Sequence, residues 1–88
     1  MPLYLGQRYL PDADQARALA EADRIRRALR ERKGRSAVRL LSTTLVPNEE
    51  WVFDLFEAES VKAVERAYSL GGVGFERVTE AVHVADST

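Results

Sequence analysis

The chain has 88 residues, 45% of them hydrophobic and 31% charged, and a net charge of −1. That length provides for one domain with a modest core, so association is a natural source of further burial. The composition lies outside the disordered range, and no apolar run approaches the roughly 18 residues of a membrane span. Without cysteine, disulfides, thiolate metal sites and a cysteine nucleophile are excluded, and any metal must be held by oxygen or by the single imidazole, His83. The first ten residues, MPLYLGQRYL, lack the basic, apolar and small-residue order of a secretory signal, so the expected location is cytoplasmic.

Leu3 to Leu10 reads as a first strand, with Leu3, Leu5 and Tyr9 on one face and Tyr4, Arg8 and Leu10 on the other. Pro11 stops it. Asp12 with Gln15 three residues later has the spacing of a capping box, in which a short acceptor side chain takes up free backbone N–H groups. A helix is expected from there to about Lys33, because Ala18, Leu19, Ala22, Ile25, Ala28 and Leu29 recur every three or four residues. Gly34 suits the left-handed residue that closes a helix.

Ala37 to Val46, rich in Val, Leu and Thr, reads as a second strand closed by the turn signal Pro47-Asn48. The third strand, from Trp51, follows so soon that the two form an antiparallel hairpin. This third strand organises the chain, since WVFDLF is apolar on both faces and needs cover on both. Ser60 is placed to cap a second helix with the stripe Val61, Val64, Ala67 and Tyr68, ending at Gly71-Gly72. Phe75 to Val84 alternates as a fourth strand.

The order strand, helix, strand, strand, helix, strand predicts an α+β, ferredoxin-like βαββαβ domain over residues 1–85, with a loose tail at 86–88. Right-handed crossovers put both helices on one face of a four-stranded antiparallel sheet. The other face has no cover from its own chain, yet both sides of the third strand carry large apolar groups, and the fourth adds Val78, Val82 and Val84 on one side and Phe75 and Ala81 on the other. Because monomers seldom expose such a patch, we expect a homodimer packed sheet to sheet, a dimeric α+β barrel-like association, with a ligand cavity between the sheets or between sheet and helices.

Three segments together, YLGQRYLP, LLSTTLVPNEEWVFDLFEAES and FERVTEAVHV, resemble the DUF4242 family of small ferredoxin-like proteins. That family includes an actinobacterial nickel-binding, nickel-responsive branch. The resemblance spans nearly the whole chain and implies a dimer that binds nickel in one branch, with no established reaction. The chain departs from the family pattern in carrying Asp54 where a cysteine is often found and Gly74 where many members have proline.

His83 is the one candidate nitrogen ligand for Ni2+. Glu80, three residues away, falls on the opposite face of a regular strand, so partners are sought among Asp54, Glu57 and Glu50, and Glu57 is paired with His83 as the candidate metal site. The alternative is a hydrogen-bonded or exposed histidine. Arg8, Asp54 and Glu80 are charges set within apolar alternation; such groups form either a polar ligand pocket or a structural ion pair.

The basic cluster Arg24, Arg26, Arg27, Arg30, Arg32, Lys33, Arg35 and Arg39 is interspersed with Glu21, Asp23 and Glu31 and lies near a helix C-terminus, where its dipole favours cations. No paired exposed aromatics for base stacking are expected on the sheet, so no nucleic acid partner is expected. No nucleophile with a base, phosphate loop or metalloprotease helix is present. The expected function is a homodimeric binding protein for a divalent metal or small ligand, the alternative being a cofactor-free isomerase or oxygenase.

Overall fold

A computed structural model describes residues 1–31 and 37–87. Its strands are β1 (Leu3–Tyr9), β2 (Arg39–Val46), β3 (Trp51–Glu57) and β4 (Arg77–Ala81), and its helices are α1 (Gln15–Glu31) and α2 (Val61–Gly71). The sheet order is β2-β3-β1-β4 and all three pairings are antiparallel. This is the expected α+β ferredoxin-like arrangement, and it sets the two most apolar strands, β1 and β3, side by side at the centre.

Alternation decides which side chains meet the helices. Along β3, Val52, Asp54 and Phe56 are buried while Trp51, Phe53 and Leu55 are half-buried; β1 follows the same rhythm, with Tyr4, Gly6 and Arg8 buried. The core beneath the helices is in two parts. The larger joins Tyr4, Ile25, Leu40, Phe56, Val64 and Tyr68, and the smaller consists of Leu10, Ala18 and Val52 with Leu45 against it.

Several element boundaries differ from the expectation. Asp12 is not the helix cap: it lies in a short 3-10 turn, Pro11–Ala13, with φ at 71°, and its N–H donates to the Glu50 carboxylate at 2.7 Å. That tie holds the corner, and α1 starts one step later, with the Asp14 carboxylate accepting from the Arg17 N–H at 3.2 Å. The expected closure of α1 at Lys33 and Gly34 lies outside the described residues. At the second helix the reading holds, since the Ser60 hydroxyl accepts from the Ala63 N–H at 3.2 Å and Gly72 closes the helix at φ 67°.

β4 is shorter than the alternation of Phe75 to Val84 suggested. Only Leu3 to Gln7 of β1 lie opposite it, so Val82 and Val84 run beyond the sheet and are 77% and 90% exposed. Alternating valines favour a strand, but without a neighbouring edge they have no ladder to join.

Candidate functional site

The polar centre of the molecule is built on β1 and β3 and sits under both helices. Arg8 and Asp54 both point to the helix side, and their side chains are 2% and 0% exposed. The Arg8 Nε–H donates to Asp54 Oδ2 at 2.8 Å and its Nη2–H to Oδ1 at 3.3 Å. A third donor, on Nη1, meets the Glu21 carboxylate of α1. Asp54 also accepts from the Thr43 hydroxyl of β2 at 2.7 Å and from the Tyr68 hydroxyl of α2 at 2.6 Å.

Five elements thus converge on one carboxylate and one guanidinium. Burial works against the Arg8 charge, but the hydrogen bond and charge of Asp54, with Glu21 adding to them, outweigh it and hold its pKa above the ordinary value. Burial, followed by the negative charge of Asp54, pushes the Tyr68 phenol far above the usual range. Among the described residues no buried side-chain polar atom lacks a partner. Fully partnered groups of this kind hold a fold in register, and they leave no carboxylate oxygen free to take a substrate proton.

The structure joins two of the three residues expected to form a polar site. Glu80 stays apart, because register places it opposite Tyr4, with Val78 opposite Gly6, and it is exposed on the edge strand. Arg8 finds its second carboxylate across the layer, in Glu21. Helical spacing contained a signal for this: Glu21 is three residues after Ala18 and four before Ile25, at the margin of the buried stripe. Tyr68 was legible only as an apolar stripe residue, although a buried phenol hydroxyl needs an acceptor.

The two candidate metal ligands have different partners. Glu57, at the end of β3, pairs with Arg39 at 3.4 Å, and His83 lies beyond β4 with its Nε2 3.1 Å from Asp86. Among the described residues there is no group of three or more His, Asp or Glu that could hold a metal ion. Glu50, the remaining candidate carboxylate, accepts from the Tyr9 hydroxyl and the Asp12 N–H, and its own φ of 57° is left-handed.

The open face carries the half-buried row Leu3, Leu5, Trp51, Phe53 and Leu55. It also overturns one expectation, since Tyr9 and Trp51, opposite each other in register, meet edge to face with ring centroids 5.7 Å apart. An aromatic pair is therefore present on the sheet. The basic residues, by contrast, are spent largely elsewhere: Arg24 donates to the carbonyls of Gly71 and Gly72, and Arg26 to that of Leu40.

Two depressions flank the polar centre on the helix side. One, of about 340 Å3, includes Arg8, Arg17, Glu21 and Glu76. The other is a groove of about 860 Å3 between α1 and the outer edge of β2. No helix among the described residues is long and apolar enough to cross a membrane.

No protein-family model matches the chain, and comparison with curated proteins gives no match. The crystal structure of SCO4226 from Streptomyces coelicolor A3(2) superposes on it with a TM-score of 0.75 at 17% sequence identity, covering 94% of this chain and 99% of that one. At that identity the likeness is one of fold, and it extends over the whole ferredoxin-like unit.

Proposed function

We propose that the chain is a cytosolic homodimeric binding protein that closes its open sheet face against a second copy and holds a small ligand. The observation that carries this reading is the half-buried row Leu3, Leu5, Trp51, Phe53 and Leu55 on a face that no helix among the described residues covers. Polar groups, Arg39, Glu57 and Arg77, stand towards its margins, and an apolar centre inside a polar rim is the ordinary anatomy of a protein interface. Sedimentation at micromolar concentration tests the dimer: a two-subunit mass is expected, and a single folded subunit would remove the reading.

The resemblance to the DUF4242 family favours nickel as a ligand. Within one subunit the residues do not fit a nickel site, because His83 and Glu57 have separate partners and a divalent ion wants several converging donors. A nickel site would therefore draw on both copies. Calorimetric titration of the metal-free protein with nickel, set beside His83→Ala, separates the two ligand classes: heat lost in the variant supports nickel, and no heat above dilution in the native chain removes it. The isomerase or oxygenase alternative finds less support, because Asp54 is fully buried and Arg8, which borders the smaller depression, is tied to it by two hydrogen bonds.

A further inference from the structure

We propose that the groove between α1 and the edge of β2 binds an aliphatic carboxylate, with its chain along α1 and its carboxylate at Arg26. The inference specifies the ligand class of the binding function proposed above, and it concerns the helix side of the sheet rather than the face assigned to the dimer.

The groove follows from the uneven filling of the core. Facing the outer part of β2, α1 carries the small buried residues Ala18, of the smaller cluster, and Ala22, of the larger, and the trough beside them is bordered by Ala16, Leu19 and Leu45, with Leu19 60% exposed at the rim. The space left is about 860 Å3, within the usual range for small-molecule sites. It runs from Gln15 at one end to Arg26 at the other, which at the helical rise is about 16 Å and suits an extended chain of about a dozen carbons.

Charge sets the polarity. Among the described residues lining the groove, Arg26 is the one that is charged. It spends one Nη2–H on the Leu40 carbonyl at 3.2 Å, and among the described residues no carboxylate pairs with it. A half-buried guanidinium with donors to spare, at the end of a largely apolar trough with no acidic residue among its described lining, complements a monoanion with an aliphatic tail, because its planar fork takes a carboxylate on two parallel bonds. A neutral alkane has no use for Arg26, and a polyanion has none for the apolar wall of Ala16, Leu19 and Leu45.

The test is titration of the full chain with sodium dodecanoate below its micelle concentration, followed by calorimetry and by amide chemical shifts. Saturable one-to-one binding per chain is expected, with shifts along Ala16 to Arg26 and Thr43 to Leu45. Arg26→Gln should weaken binding about tenfold or more, and dodecanol should bind the native chain correspondingly worse. Leu19→Glu, at an exposed position, supplies a second variant in which loss of binding is expected without loss of fold.

Absence of saturable binding to the native chain would overturn the proposal, as would native affinity retained in both variants. Shifts confined to Leu5, Phe53 and their neighbours would place the ligand on the open face and would also overturn it. Sedimentation of the same samples keeps the two readings apart: a monomer that binds dodecanoate through Arg26 sinks the dimer alone, and a dimer that does not bind it sinks the groove alone.

Discussion

The hydroxyl of Tyr68 occupies the space over Gly6 where any other residue would carry its β-carbon: a Cβ built on Gly6 would lie 1.9 Å from Tyr68 Oη and 2.7 Å from Cζ. Glycine in a central strand forgoes packing and costs backbone entropy. Here it lets a helix-borne phenol lie flat on the sheet and reach Asp54 at 2.6 Å. The ring is held from both sides, stacked on Phe75 at 4.9 Å and meeting Phe56 edge on at 5.3 Å, so it has nowhere to retreat.

Gly6→Ala should therefore destabilise the protein by about 2 to 4 kcal/mol, as overpacking joined to loss of a buried hydrogen bond. The cost should fall sharply in a Tyr68→Ala background, where the clash no longer exists. Urea unfolding of the two single variants and the double variant measures the coupling. Simple additivity would show that the close approach has no energetic weight.

Removing one side of the buried charge pair is expected to be worse than removing both. Arg8→Met leaves Asp54 desolvated without an opposite charge, held only by the Thr43 and Tyr68 hydroxyls, and should cost about 3 to 5 kcal/mol, whereas Arg8→Met with Asp54→Leu should recover a large part of that loss. Thr43 and Tyr68 then lack their acceptor and Glu21 keeps only Arg17, so recovery stays incomplete. Equilibrium denaturation of the native chain and both variants at neutral pH provides the reading.

Tyr68 also gives the fold a dependence on alkaline pH. Its folded pKa is raised, by burial and then by Asp54, above the ordinary phenol value of 10.0. The neutral hydroxyl's contribution is complete below pH 10.0 and declines above it, as the unfolded chain loses its proton while the folded one keeps it. Relative to Tyr68→Phe, the native chain should lose up to about 1.4 kcal/mol per pH unit above that point. Urea midpoints for both proteins at pH 8 and pH 11 provide the check; equal pH dependence in the two would refute this assignment.

On the open face, Phe53→Glu puts a charge in the middle of the apolar row, beside Gln7 and Thr44 in register. The helix-side core is untouched, so the variant should remain folded by circular dichroism and sediment as a single subunit. A variant that stays dimeric would move the interface elsewhere.

Much of this architecture could be read along the chain, because alternation and helical spacing are local properties. The faces of β1 and β3, the stripe of α2, the Ser60 cap and the hairpin through Pro47 all follow from neighbours a few residues apart, and together they determine a ferredoxin-like order. Arg8 and Asp54 were conspicuous for the same reason, as charges where the rhythm demanded apolar groups. What they bond to depends on strand register and on how the helices lie across the sheet, which involve residues 11 to 46 positions apart. Only the assembled layers could decide that Glu21 and not Glu80 completes the pair, that Gly6 makes room for Tyr68, that Val82 to Val84 run past the last available edge, and that small residues on α1 leave a trough beside β2.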